Sequence, residues 1–279
     1  MGKFLAKKSL GQNFLKNKEI VKKIIESADL SAEDVVLEIG PGKGVLTEEL
    51  VKVAKKVIAV EIDKNLAEIL RNKFKGNEKV GIINKDILKI KLIDLISNKV
   101  PNSKSQNTKY NILDTKYKLV ANLPYYITSP IIRMFLESDL PPREMILMVQ
   151  KEVAERIVAK PEEMSILAVS VQYYAQPELL FYVNKENFDP VPEVDSAVIR
   201  ISVNSEQRTV NSEKSSDFFR VVRAGFCAKR KMLANNLANS FHLDKKKVEE
   251  KLKAAGISPT ARAQELSVED WKKLVRLIA

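Results

Sequence analysis

"VVLEIGPGKGVLTEEL", residues 35–50, joins an apolar run to an amphipathic one through glycines at 40, 42 and 44. The pattern predicts a buried strand, a tight turn and a helix whose free N–H groups face the turn. Missing side chains in such a turn let a ligand approach the backbone. A nicotinamide dinucleotide fold favours G-x-G-x-x-G, and Val45 takes the last of those positions here. The array therefore argues against that cofactor.

Strand and helix patterns alternate on both sides of this stretch. Apolar runs of strand length, separated by helical spacing, recur at 56–63, 80–86, 118–123 and 143–150. Strands that alternate with helices imply right-handed crossovers and a mostly parallel sheet that is covered on both faces. The fold class is therefore predicted to be α/β, with a Rossmann-like domain.

The chain changes character near its last third. Residues 204–216 are rich in Ser and Asn and have no apolar face, which indicates a linker. Three helical patterns follow the linker. We therefore expect a catalytic domain over 1–203 and a small all-α domain over 217–279.

The formal charge of +11 is concentrated at the two ends of the chain. Residues 1–23 contain seven Lys against one Glu, and residues 203–279 contain sixteen Lys or Arg against nine Asp or Glu. The middle of the chain is close to neutral. A neutral body with basic ends is the pattern expected of a protein that contacts a phosphate backbone.

Composition argues against several classes of function. No run approaches the roughly 20 apolar residues of a membrane-spanning helix, and the amino terminus lacks the apolar core of a signal peptide. A single cysteine, Cys227, and a single histidine, His242, exclude a disulfide framework and a Cys-rich zinc site. We therefore expect a cytoplasmic protein that uses no metal and has no membrane partner.

Polar residues stand where three further strands are predicted to end. Glu61 ends the second strand, Asp86 follows the third and Asn122 lies at the end of the fourth. Because ligands of such sheets bind outside the carboxyl ends of the strands, these residues and Gly40 are predicted to line one crevice. Glu61 can accept hydrogen bonds from both hydroxyls of a ribose, and Asp86 can receive the amino group of an adenine. The alternative is that both carboxylates only cap the helices that follow them.

The hexapeptide NLPYYI, residues 122–127, presents an amide, a proline carbonyl and aromatic rings at the end of a strand. Together with EIGPGKG, VEID and NKDI, it resembles the successive motifs of class I S-adenosylmethionine-dependent methyltransferases that modify an exocyclic amine of a base. The resemblance implies that the Asn122 side-chain oxygen and the Pro124 carbonyl accept hydrogen bonds from adenine N6. These bonds would direct the lone pair of the amine at the methyl group, and Tyr125 would stack on the base.

Two further stretches narrow the resemblance, KKSLGQNFL at 7–15 and NFDPVPEVDSAVI at 187–199. They resemble signatures of the ribosomal RNA adenine dimethyltransferases of the KsgA type, and the similarity extends along nearly the whole chain. This family methylates N6 of two adjacent adenines twice each, near the 3′ end of small-subunit ribosomal RNA, and has a role in small-subunit biogenesis.

The resemblance also implies a cofactor, a partner and a set of site residues. The cofactor is S-adenosylmethionine, the partner is the small ribosomal subunit, and we expect the enzyme to be a monomer. Phe188 is expected to close on the target base opposite Tyr125. The cofactor-binding residues that the resemblance implies are Asn13, Leu15, Gly40, Gly42, Glu61, Asp86 and Asn122.

The basic ends contain candidate contacts to RNA phosphates. Two lysines lie beside the cofactor segment, and a second cationic patch falls on the expected first helix of the small domain. For the second patch, a charged face that only contacts solvent is the alternative. The candidate RNA-binding residues are Lys7, Lys8, Arg223, Lys229, Arg230 and Lys231.

The chain departs from the family pattern at two places. Met164 and Ser165 stand where a Tyr-Gly pair is usual, in the loop before ILAVSVQ, and the segment 165–175 fits a helix or a strand. The polar stretch 97–117, an extended loop by its pattern, is longer than the family generally has. Neither departure includes a proposed catalytic residue.

Three alternatives stay open at this point. A large-subunit RNA adenine dimethyltransferase that gives antibiotic resistance shares the motifs, although the glycine of LGQNFL and the VDS after DPVP favour the small-subunit branch. A ribosome assembly factor without activity would retain the fold. A DNA adenine methyltransferase would retain a site like NLPY.

Overall fold

The computed structural model describes residues 7, 10–96, 117–203 and 212–278. Nine strands and eleven helices lie within these ranges. The strands are β1 Phe14–Leu15, β2 Val35–Ile39, β3 Lys56–Glu61, β4 Val80–Asn84, β5 Tyr117–Asn122, β6 Glu144–Gln150, β7 Ala175–Val183, β8 Phe188–Asp189 and β9 Ser196–Val203. The helices are α1 Lys18–Ser27, α2 Val45–Val53, α3 Lys64–Lys73, α4 Leu92–Ile96, α5 Thr128–Leu136, α6 Lys151–Ile157, α7 Ile166–Tyr174, α8 Ser212–Gly225, α9 Leu233–Phe241, α10 Lys245–Ala254 and α11 Val268–Ile278.

Seven strands form one sheet in the order β4-β3-β2-β5-β6-β9-β7. The pairs from β4 to β6 are parallel, and β9 runs antiparallel to β6. The strand order reverses direction between β2 and β5, which is where open α/β sheets bind their ligands. The predicted α/β fold with a mostly parallel sheet and carboxyl-terminal helices is confirmed.

Burial on both faces explains the near-continuous apolar sequence of the central strands. All five residues of β2 are buried, and Val57, Val120 and Ile146 on the neighbouring strands are fully buried. β1 and β8 form a separate two-stranded ribbon in which Leu15 is opposite Phe188. This ribbon holds the amino-terminal segment beside the sheet.

The chain divides into two compact units, which differ from the expected domains. The sheet unit comprises Met1–Ala154 and Pro177–Val203, and the helical unit comprises Glu155–Gln176 and Asn204–Ala279. The expected catalytic domain over 1–203 is therefore corrected, since α7 packs with the helices that follow the sheet. The ring of Tyr173 in α7 stacks on Phe218 of α8 with centroids 4.2 Å apart.

Three local predictions are also decided by the structure. α8 begins at Ser212, so the last five residues of the expected 204–216 linker are helical, and residues 204–211 lie outside the described ranges. Segment 165–175 is mainly helix α7. The expected loop 97–117 lies outside the described ranges except for Tyr117, which begins β5. Across the described ranges, no helix is both long and apolar enough to span a membrane.

Candidate active site

An open cleft lies at the carboxyl ends of β2, β3, β4 and β5, entirely within the sheet unit. Its empty space is about 1250 Å³ with the open mouth included, which is ample for a nucleoside-containing ligand. The cleft brings together the residues that the strands deliver to one edge of the sheet. They are Gly40, Gly42, Glu61, Asp86, Asn122, Pro124 and Tyr125, joined by Asn13 and Leu15 from the amino-terminal segment.

Residues 10–15, which we call the strap, form one wall of the cleft. The phenyl ring of Phe14 fills the space above Gly42, where an added Cβ would lie 2.9 Å from Cδ1 of that ring. The missing side chain at Gly42 therefore accommodates the strap, and is not only a means for a ligand to approach the backbone. At the other end of the strap, Gly11 lies against the ring of Tyr126.

Glu61 is held by the backbone on both sides of its carboxylate. Oε2 accepts a hydrogen bond of 3.1 Å from the Gly42 N–H, and Oε1 accepts one of 2.9 Å from the Asp63 N–H. The side chain is buried, and burial raises the pKa of Glu61 although these hydrogen bonds oppose the shift. A carboxylate offers about four lone-pair sites, so Glu61 keeps capacity to accept a ribose hydroxyl.

Glu38 is a second buried acid in the cleft, and it lies in the middle of the apolar strand β2. It is 1% exposed, and Oε2 accepts a 2.7 Å hydrogen bond from the Thr47 hydroxyl. Burial raises its pKa to about 8, the nearby charge of Glu61 adds to the shift, and the Thr47 hydrogen bond opposes it. Glu38 is therefore mainly protonated at neutral pH.

Asp86 caps a short turn and also lines the cleft. Its carboxylate caps the short 3₁₀ turn Ile87–Lys89 by accepting from the Leu88 N–H at 3.1 Å. The residue also lines the cleft, and its side chain is 29% exposed. Oδ1 is therefore used for capping, and Oδ2, which lies 3.7 Å from the Lys89 ammonium, keeps acceptor capacity for a ligand.

The side-chain amide of Asn122 is oriented by the strap. Its Nδ2 donates a 3.3 Å hydrogen bond to the backbone carbonyl of Asn13, 109 residues away in the chain. Because the nitrogen is engaged, the Asn122 Oδ1 is left available as a hydrogen-bond acceptor.

The expected role of the Pro124 carbonyl is not supported. Its oxygen already accepts a 3.2 Å hydrogen bond from the Ile127 N–H and a 3.4 Å hydrogen bond from the Thr128 hydroxyl. These two bonds use both lone pairs of the oxygen and close the turn that starts α5. The preceding carbonyl, that of Leu123, accepts no hydrogen bond from the described residues.

Two tyrosines follow the proline and differ in environment. Tyr125 is partly buried and its hydroxyl lies 2.8 Å from the Ser196 hydroxyl, while burial raises its pKa. Tyr126 is 56% exposed at the cleft wall. The Tyr125 hydroxyl bond fixes a ring that can serve as a stacking surface.

Phe188 is not where the sequence led us to expect it. Its side chain is 1% exposed and packs in the apolar core of the sheet unit, in a cluster that includes Leu15 and Val198. It does not line the cleft. The expected position opposite Tyr125 is therefore wrong for this structure, because pairing of β1 with β8 turns the ring into the core.

The candidate RNA contacts are partly rearranged. The Lys7 ammonium lies 2.9 Å from the buried carboxylate of Asp63, so it is not a free phosphate contact. Lys8 lies outside the described residues. Arg223 is on α8, but Lys229 to Lys231 lie in the turn after that helix, which corrects their expected place on it. All four cations of this patch are exposed and make no ion pair with another described residue.

Sequence reasoning missed three polar residues of this region. Glu38 had a visible signal, since a charged residue interrupts an otherwise apolar strand. Asp63 could be identified from sequence only as a helix cap, and Gln12 only as part of a motif. The side chains of Gln12 and Asp63 are hydrogen-bonded although they are 51 positions apart in the sequence. Local patterns do not encode such a contact.

Comparisons with known proteins place this geometry among RNA-modifying enzymes. The family model described as "Ribosomal RNA adenine dimethylase" matches residues 3–279. "Ribosomal RNA small subunit methyltransferase A" of Dehalococcoides mccartyi strain BAV1 is 46% identical over 96% of this chain and 87% of its own. The protein of the same name from Clostridioides difficile is 39% identical over 99% of this chain and 91% of its own.

Two solved structures match nearly the full length of the chain. A dimethyladenosine transferase from Plasmodium falciparum superposes with a TM-score of 0.73 at 26% identity, over 94% of this chain and 95% of its own. The 23S rRNA methyltransferase ErmE superposes with a TM-score of 0.72 at 27% identity, over 95% of this chain and 99% of its own. The relatives of higher sequence identity are the ones whose names specify the small subunit.

Proposed function

This chain belongs to the ribosomal RNA adenine dimethylase family, and we propose that it dimethylates N6 of two adjacent adenines near the 3′ end of small-subunit ribosomal RNA. The methyl donor in this proposal is S-adenosylmethionine, and the partner is the small ribosomal subunit in the cytoplasm. The observation that carries the proposal is the Asn122 amide, oriented by the Asn13 carbonyl in a cleft at the strand ends.

The polar groups of the cleft fit the donor. Glu61 keeps acceptor capacity for a ribose beside its backbone hydrogen bonds, and Asp86 has a partly exposed carboxylate for an adenine amine. The strap residues Asn13 and Leu15 and the turn at Gly40 complete the wall. When bound, S-adenosylmethionine supplies an electrophilic methyl group and departs as a neutral thioether.

The protein activates the substrate amine by hydrogen bonding, without a catalytic base. Adenine N6 is a weak nucleophile because its lone pair is delocalised into the ring. The Asn122 Oδ1 accepts one N–H of the amine, and we assign the second acceptor to the Leu123 carbonyl because that of Pro124 is occupied. Such bonds localise the lone pair and orient the amine for attack.

Double methylation needs a site that still holds a monomethylated amine. One remaining N–H is enough to contact Asn122, so the same geometry serves the second transfer. Tyr125, fixed through Ser196, provides the stacking surface for a base that has left its own stack. The positive charge of the product amine is relieved by loss of a proton to solvent.

Recognition of RNA is assigned to the exposed cations of the helical unit. Arg223, Lys229, Arg230 and Lys231 make no ion pair within the described ranges and are available for phosphates. Lys7 is withdrawn from this role because it is paired with Asp63.

The test is methylation of small ribosomal subunits that lack this modification, with methyl-labelled S-adenosylmethionine and mapping by nuclease digestion. We expect dimethyladenosine at two neighbouring positions. Label on naked large-subunit RNA in preference to small subunits would support the large-subunit alternative. Normal binding of the donor without label on either RNA would show that the substrate is wrong, and absence of donor binding would favour an inactive assembly factor.

A further inference from the structure

We propose that Asp63 is a positioning residue that clasps the strap, through Lys7 and Gln12, over the cleft and thereby sets the affinity for the methyl donor. The inference rests on the proposed function, because it concerns the same cleft. Asp63 does not line the cleft and is assigned no contact with donor or substrate. Its side chain acts through the strap, and its backbone N–H holds Glu61.

The two oxygens of Asp63 have separate partners. Oδ1 accepts a 3.0 Å hydrogen bond from the Asn65 N–H and so caps α3. Oδ2 lies 2.9 Å from the Lys7 ammonium and accepts a 3.2 Å hydrogen bond from the Gln12 amide nitrogen. The helix needs only the first oxygen, and the second is devoted to the strap.

Gln12 connects the two ends of this arrangement. Its Oε1 accepts a 2.7 Å hydrogen bond from the backbone N–H of Lys7, while its Nε2 donates to Asp63. The Gln12 side chain thereby links the backbone of Lys7 to the carboxylate of Asp63. The strap follows directly, with Gly11 against Tyr126, Asn13 on Asn122 and Phe14 on Gly42.

We call the contacts of the Asp63 carboxylate with Lys7 and Gln12 the clasp. Burial distinguishes the clasp from a surface ion pair. The Asp63 side chain has no exposed surface, whereas the Lys7 side chain is 46% exposed. A buried carboxylate without a cationic partner is costly, so release of the strap would leave Asp63 in an unfavourable state. Burial alone would raise the pKa of Asp63, but the hydrogen bonds from Lys7, Gln12 and the Asn65 N–H, together with the Lys7 charge, hold the pKa below its ordinary value.

The clasp reaches both halves of the cleft. On one side the Asp63 N–H donates to Glu61 Oε1, the acid assigned to the ribose. On the other side the strap presents the Asn13 carbonyl that orients Asn122. Loss of the clasp should therefore weaken donor binding and disturb the acceptor of the substrate amine together.

The substitution Asp63→Asn separates the clasp from the helix cap. Asparagine caps helices as well as aspartate, so its oxygen can keep the bond to Asn65. The amide nitrogen then takes the place of Oδ2 and presents only hydrogens to two donors. Lys7→Met is a second variant, which removes the ammonium and leaves the cap unchanged. Asp244→Asn is the matched control, since Asp244 caps α10 in the helical unit.

Two measurements test the proposal, S-adenosylmethionine titration by calorimetry and amide hydrogen exchange of the protein without ligand. We expect Asp63→Asn to weaken donor binding by about 10-fold or more, the effect of losing charge-assisted hydrogen bonds. Lys7→Met should weaken binding in the same direction. In both variants, exchange should become faster in peptides covering 10–15 and stay unchanged in α10 and α11. Asp244→Asn should leave donor affinity at the wild-type value.

Contrary results are distinguishable from failure of the proposed function. Donor affinity within twofold of wild type in both variants, with unchanged exchange at 10–15, would overturn the clasp. Faster exchange throughout the sheet unit would assign Asp63 a purely folding role and overturn it as well. If the wild-type protein bound no donor, the proposed function would fail, while the exchange measurement would still decide whether the clasp exists.

Discussion

The backbone carbonyl of Asn13 accepts a 3.3 Å hydrogen bond from the side chain of Asn122, and both residues line the cleft. This bond decides which end of the Asn122 amide faces a substrate. It also means that the amino-terminal strap and the strand-end motif form one site.

Asn122→Ala should abolish methyl transfer, because it removes the acceptor that orients and activates the amine. We expect the rate of transfer to fall by about 100-fold or more, the usual cost of losing a hydrogen-bonding group in the transition state. The affinity for S-adenosylmethionine, measured by calorimetry, should fall only by the contribution of the contact between Asn122 and the donor. Asn72→Ala, on the exposed face of α3, is the control. Transfer by Asn122→Ala at the wild-type rate would remove Asn122 from the site.

The main effect of Phe188→Ala should be a lower free energy of unfolding, and not a direct loss of RNA recognition. The ring is buried in the core beside Leu15, so its removal should cost about 3–5 kcal/mol in the free energy of unfolding. Urea unfolding measures this loss, and Phe188→Leu should recover much of it. Unchanged stability together with a higher KM for RNA would restore Phe188 as a clamp on the base.

Glu38→Gln should change how stability depends on pH. In the folded protein the pKa of Glu38 is raised to about 8 from its ordinary 4.5, so the folded state holds a proton that the unfolded chain releases. The free energy of unfolding should therefore fall as the pH rises between these values, by at most about 1.4 kcal/mol per pH unit. Glu38→Gln keeps an acceptor for Thr47 and removes this dependence.

The measurement for Glu38 is urea unfolding of the protein without ligand at pH 5, 6.5 and 8. The variant should gain stability relative to the wild type as the pH rises. Glu68→Gln, at an exposed position on α3, should follow the wild type. Parallel pH profiles for the wild type and Glu38→Gln would show that Glu38 is ionised in the fold.

Lys229→Ala with Arg230→Ala should weaken RNA binding and flatten its salt dependence. Each lost phosphate contact should reduce the slope of log K against log salt by about 0.7 to 0.9. Lys246→Ala with Lys247→Ala removes the same charge from exposed positions on α10 and is the control. Equal slopes of log K against log salt for the two double variants would show that Lys229 and Arg230 belong to a charged face that only contacts solvent.

Local sequence patterns were sufficient for the fold class and for most cleft residues. The carboxyl ends of parallel strands lie at one edge of the sheet. Gly40, Glu61, Asp86 and Asn122 can therefore be identified from the predicted strand ends without knowledge of any tertiary contact. β7 was missed, because its residues 175–183 alternate weakly between buried and exposed positions.

Tertiary contacts decided what those patterns could not. The sequence by itself determined which residues stand at the strand ends, since that depends on periods of two and 3.6 along the chain. The structure decided that Phe188 is buried, that the Pro124 carbonyl is occupied, and that Asp63 holds Lys7. It also placed α7 with the carboxyl-terminal helices. Each of these depends on pairing or packing between distant segments, and nothing local in the chain encodes which distant partner a side chain will contact.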